Sequence, residues 1–135
     1  MGISRTMKEF KVPISGTSMW PLLKEGDVVL VMPAKNVEIG DLVCFRENLS
    51  RELVIHRLIN TNTVKGDNNP YSDGSVTIIG KLKLEFYLHD LLKKPISKLS
   101  NHYYMNHAKP VRVIFKSIIL LLNFVTRALG SAPNL

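Results

Sequence analysis

The chain has 135 residues, 45% of them hydrophobic, which suits one domain with a buried core and is too short for two ordinary ones. A single cysteine, Cys44, excludes an internal disulfide and a cysteine-rich metal site; within the apolar run Leu42, Val43, Cys44, Phe45 it reads as a buried, inert thiol. Residues 1–90 carry 11 Lys/Arg against 11 Asp/Glu, so the net charge of +7 falls wholly within residues 91–135, which hold no acid. Such a tail suits an anionic partner, a membrane surface or a nucleic acid.

The elements follow in chain order. Residues 1–11 are charged and lack the apolar core of a secretory signal. Met1-Gly2 with Thr6 fits the short myristoylation pattern and is read as coincidence. Residues 11–15 form a strand that runs into the turn Gly16-Thr17-Ser18, and Pro21 suits the first turn of a short helix after it. Residues 28–32, 42–46 and 53–59 are compact, β-branched runs and read as strands, with Val54, His56 and Leu58 on one face of the third. Residues 66–74 are rich in Asp, Asn, Pro, Ser and Gly and form a loop. Residues 76–87 contain further strand, interrupted near Gly80. Closely spaced short strands predict a mainly β domain over 1–90.

From about residue 90 the pattern turns helical, giving a basic, largely helical C-terminal segment over 91–135. Residues 89–94 allow one helical turn before Pro95, and a long helix opens at Pro110 and ends at Gly130. At about 100° per residue, Arg112, Lys116, Asn123, Thr126 and Arg127 share an arc of roughly 100°, with Ile114, Ile118, Leu121, Leu122 and Val125 outside it. Lys116 and Arg127 interrupt any span of about 20 apolar residues. The helix therefore spans a membrane only if those two side chains snorkel, lies on a membrane through residues 110–129, or packs on the domain with its basic stripe in solvent. The second reading makes the protein peripheral to an anionic membrane surface and otherwise cytoplasmic.

Three segments carry chemistry. In Ser15-Gly16-Thr17-Ser18-Met19-Trp20-Pro21 a tight turn offers an exposed hydroxyl and nearby backbone N–H groups, as a nucleophilic serine requires; Ser18 could equally cap a short helix. His56 lies on a strand; an imidazole can exchange a proton with such a serine, and the residue can equally be an ordinary packed histidine. The loop Lys65-Gly66-Asp67-Asn68-Asn69-Pro70-Tyr71-Ser72-Asp73 lacks the acid spacing of a calcium-binding EF-hand, and its acids could orient a histidine.

Taken together and in order, Ser18-Met19 with Pro21, Glu25-Gly26-Asp27, Gly40-Asp41-Leu42-Val43 and Lys65-Gly66-Asp67-Asn68-Asn69 resemble the signal peptidase I superfamily over about residues 10–90. That resemblance implies a compact signal-peptidase/LexA-like β domain and a serine endopeptidase. Bacterial members use a lysine as base; the matching place here holds His56, which resembles the Ser-His branch of the endoplasmic reticulum and archaea. The resemblance then implies Ser18 as nucleophile, His56 as general base and Asp73 as orienting acid. Asp67 is a second candidate acid, or a structural residue bonding its own loop. Gly16 and Thr17 form the oxyanion turn, where Gly16 replaces a frequent serine and leaves the Ser18 N–H as donor. Met19 and Trp20 line the substrate cleft, or pack in the core. Gly16-Thr17-Ser18-Met19 also resembles the self-cleaving repressors related to LexA, although no Ala-Gly or Cys-Gly bond occurs in the chain.

The implied substrate is a signal or leader peptide, bound extended with small residues beside the scissile bond. The alternatives are a LexA-like self-cleaving regulator and an inactive peptide-binding module. No cofactor or metal is expected, since His89, His102 and His107 fit no ligand spacing. No nucleic acid is expected either, because Tyr87, Tyr103 and Tyr104 read as packing rather than stacking platforms.

Overall fold

β-branched and apolar runs form most of the strands that their composition predicts. The computed structural model describes residues 8–33, 36–83, 89–105 and 109–129. Its elements are β1 (Phe10–Pro13), β2 (Val28–Pro33), β3 (Leu42–Arg46), β4 (Leu53–Leu58), β5 (Thr63–Lys65), β6 (Gly74–Ser75), β7 (Ile78–Leu82), α1 (His89–Met105) and α2 (Lys109–Ala128). The strands make one seven-stranded sheet in the order β1-β2-β7-β3-β4-β5-β6. Every pairing is antiparallel. The domain is mainly β with a C-terminal helical segment.

Alternation along β3 builds two cores. Leu42 and Cys44 join Val12, Leu22, Leu23, Val29, Val31 and Ile55 on one face. Val43 and Phe45 join Leu58 and Val64 on the other. Cys44 is fully buried, and burial pushes its thiol up to about 11, so it is inert. β7 runs on through Gly80, but its ladder with β3 is irregular beside it, as expected: Cys44 faces Gly80 and Phe45 faces Ile78, which leaves Ile79 of β7 without a partner on β3. A Cβ at Gly80 would stand 2.4 Å from the Met32 carbonyl oxygen, which is why the strand carries glycine there.

The helices depart from expectation in two ways. α1 does not stop before Pro95 but runs through it. Proline forfeits one main-chain bond, and Leu91, the residue whose carbonyl loses it, lies with Pro95 on the exposed side, where water can substitute. α2 packs on the protein, yet with its polar arc inward: Asn123 and Thr126 are buried and Arg127 bonds Asp27 at 2.7 Å. The expected solvent-facing basic stripe is thus largely a docking face.

Both helices are keyed to the sheet by polar contacts. Lys93 Nζ donates to Asp41 at 2.8 Å and to Glu38 at 2.7 Å. Ser97 donates to the Leu58 carbonyl, and Lys65 reaches Ser100 Oγ at 2.8 Å. Between the helices Ile96, Tyr103 and Ile119 form a third apolar cluster. Tyr103 is therefore packing, covered by Lys65; Tyr87, His107, Gly130 and the Met1-Gly2 segment lie outside the described residues. No described helix is long and apolar enough to cross a membrane.

Candidate active site

Ser18 stands on the turn that follows β1. Gly16 takes φ +81°, a conformation that glycine adopts without strain, and its N–H donates to Glu25 Oε1 at 3.1 Å. Residues 18–22 are a run of turns rather than a helix: Trp20 N–H bonds Thr17 O, and Leu23 N–H bonds Met19 O. Met19, Leu22 and Leu23 are buried in the core and pin this segment, leaving Ser18 half-buried beside them. The Ser18 N–H has no hydrogen-bond partner among the described residues.

His56 sits in the middle of β4, opposite Val43 and edge-on to the Phe45 ring. Its Nε2 is 2.9 Å from Ser18 Oγ, and its Nδ1 is 2.5 Å from Asp73 Oδ2. The His56 side chain is buried and that of Asp73 is 27% exposed. A proton on Nδ1 donates to the carboxylate, which leaves Nε2 to accept the serine O–H. The structure thus brings Ser18, His56 and Asp73 into one chain of hydrogen bonds.

Asp67 is not part of that chain, and it does not bond its own loop. Its carboxylate accepts from Arg57 Nε at 3.0 Å and Nη2 at 2.9 Å, and from Asn123 Nδ2 at 2.7 Å. Arg57 also donates to the Gly40 carbonyl, and both charged side chains are fully buried. A pair so desolvated persists because each polar atom has a partner. The sequence reading missed this cluster; its one local signal was an arginine next to His56 on a strand buried on both faces.

The loop between β5 and β6 clasps the serine segment directly. Asn68 N–H donates to Ser18 O at 2.9 Å, and Asn68 Nδ2 to Thr17 O at 2.7 Å. Asp67 N–H points to the Met19 sulfur. A Cβ at Gly66 would stand 2.9 Å from Ser18 Cβ and 3.0 Å from His56 Nε2, so the backbone itself forms one wall of the site. Lys65, the lysine of this motif, turns away to Gly66 O and Ser100. Burial pulls its pKa down to about 8, against the opposing charge of Asp67.

A small cavity of about 110 Å³ opens beside Ser18, lined by Val12, Ile14, Gly16, Met19, Leu53 and Ile55 among others. Met19 lines it while remaining a core residue; Trp20 does not line it and is 44% exposed. A larger concavity of about 910 Å³ between Ile39, Leu58 and the Lys94–Lys98 side of α1 contains none of these residues. The described residues hold no group of three potential metal ligands.

No curated protein and no solved structure gives a match to the chain. A family model described as Peptidase S24-like matches residues 3–84, a stretch that includes the strands of the sheet together with Ser18, His56, Asp67 and Asp73. With more than half its length so matched, the chain belongs to the Peptidase S24-like family, the fold of serine peptidases and LexA-like proteins.

Proposed function

We propose that the protein is a serine endopeptidase that cleaves signal or leader peptides, with Ser18 as nucleophile, His56 as general base and Asp73 as orienting acid. The observation that carries this reading is the 2.9 Å approach of Ser18 Oγ to His56 Nε2, with Asp73 on the opposite ring nitrogen. Such a chain lets the imidazole take the serine proton as Oγ attacks the scissile carbonyl, then return it to the leaving amine. A water deprotonated by the same nitrogen hydrolyses the acyl-enzyme, regenerating Ser18 and releasing the new carboxylate. The Ser18 N–H supplies one donor to the oxyanion. Histidine in the base position favours the Ser-His branch of the superfamily.

Two features support an extended substrate. β1 pairs with β2 alone among the described strands, and β5 covers β4 only at Arg57 and Leu58. The cavity beside Ser18 lies between residues 12–16 and 52–55, so a substrate strand can lie along these open edges. A space of about 110 Å³ suits a small side chain at the scissile bond. The test is cleavage of a synthetic preprotein by the purified chain. Ser18→Ala that cleaved at the wild-type rate would sink the proposal.

The Peptidase S24-like match, together with Gly16-Thr17-Ser18-Met19, favours one second reading, intramolecular self-cleavage of a LexA-like kind. Mass spectrometry separates the two: self-cleavage yields fragments of this chain at a rate independent of protein concentration, and leaves an added preprotein intact.

A further inference from the structure

α2 turns its apolar residues outward. Val113, Ile114, Ile118, Leu121 and Phe124 are exposed, the last two at 60% and 58%. At helical spacing they share an arc of about 140° along nearly the whole element. This orientation is held in place by the opposite face. Ile119 packs against α1, Asn123 bonds Asp67, and Arg127 bonds both Asp27 and the Leu22 carbonyl. The helix cannot roll its apolar face inward without breaking these contacts. Contiguous exposed apolar surface of this kind marks an interaction site.

The charge carried by the two helices points to the partner. Lys93 and Arg127 are neutralised by Asp41, Glu38 and Asp27, but Lys94, Lys98, Lys109 and Lys116 join no ion pair among the described residues. Asp90 is the sole acid in the two helices. We propose that α2 seats the protein on an anionic lipid surface, its apolar face entering the boundary between headgroups and acyl chains and the lysines of α1 and α2 meeting lipid phosphates. A second copy fits poorly, because pairing these faces would bring two basic tails together. Insertion across the bilayer would require Asn123 and Arg127 to leave their partners in the sheet domain. The turn bonded to Arg127 also carries Trp20, an exposed amphipathic ring two residues from Ser18, so seating the helix holds the serine turn close to the same surface.

The test is co-sedimentation of the full chain with phosphatidylcholine vesicles, with or without about one-third phosphatidylglycerol, at about 0.1 M salt. Binding to the anionic vesicles is expected to exceed binding to the neutral ones by about tenfold or more, and to weaken in high salt. The single tryptophan should shift its emission to the blue on binding. Leu121→Glu/Phe124→Glu changes exposed positions, and should lower binding by about tenfold with an unchanged thermal melt. Ile114→Ser/Leu121→Ser is the milder second variant and should weaken binding in the same direction. Absence of binding to anionic vesicles, or wild-type binding by both variants, overturns the proposal. So does a solution dimer that those substitutions dissociate while vesicles stay unbound. Ser18→Ala should bind vesicles as the wild type does, which separates this proposal from the peptidase reading.

Discussion

Asp67 and Asp73 leave the same loop and grip neighbouring residues of one strand, Asp67 taking Arg57 and Asp73 taking His56. Because successive residues of β4 point to opposite faces, the loop reaches both sides of the sheet. The two carboxylates should therefore fail differently. Asp67→Ala leaves a buried guanidinium without its charge partner and should cost about 3 kcal/mol or more, measured by urea unfolding. Asp73→Asn should leave the unfolding midpoint nearly unchanged and lower kcat for peptide cleavage by about a thousandfold, by favouring the wrong imidazole tautomer.

Gly66→Ala tests whether the loop backbone sets the serine–histidine distance. The added methyl has no room between Ser18 Cβ, His56 Nε2 and the Asn69 side chain, the nearest of which would lie at 2.8 Å. The expected outcome is a fall in kcat of about tenfold to a hundredfold, with a smaller change in KM, because a displacement near 1 Å is costly to chemistry. Steady-state kinetics on one peptide would read both.

Ser18→Ala and His56→Ala should each remove nearly all cleavage, and the double variant should be no worse than either single one. Groups that act as one unit are grossly non-additive. A double variant slower than both singles by the product of their separate effects would mean that the two side chains work independently. Single-turnover assays at high enzyme concentration give the needed range.

His89 should make the fold acid-sensitive above the carboxylate range. Burial, reinforced by the charge of Arg57, pulls its pKa down from 6.5 to about 4. Above the higher value both folded and unfolded chains hold it neutral. Between the two values the unfolded chain binds a proton that the folded one refuses, so stability falls as pH drops through that window. The loss should be on the order of 3 kcal/mol. Asp27 and Asp41 are desolvated by burial, yet Arg127 beside the first and the Glu38 N–H and Lys93 beside the second hold them below 3.8; their contribution is lost only in more acid solution. Urea midpoints from pH 7 to 4 should slope downward, and His89→Gln should flatten that slope.

Most of the strands were legible because each is a short β-branched or apolar run with turn residues at its ends; β5 and β6, with three and two residues, were too short to stand out. The order of the motifs brought Ser18, His56 and Asp73 to notice, though each has an ordinary reading on its own. Other features depend on distance along the chain. Asn123 meets Asp67 across 56 positions, and no local pattern announces such a pairing. The face of α2 was misjudged for a related reason: hydropathy assumes that polar residues seek water, whereas Asn123, Thr126 and Arg127 find partners in the protein. Pro95 misled because the bond that a proline forfeits inside a helix falls here on an exposed face, where water can take its place.

The family match ends at residue 84, yet a carboxylate inside it is completed by residue 123. The two stretches are consequently not interchangeable parts. A graft of the sheet onto another member's tail would leave Asp67 one donor short, and a lesion in the last third of the chain would surface as a defect beside His56.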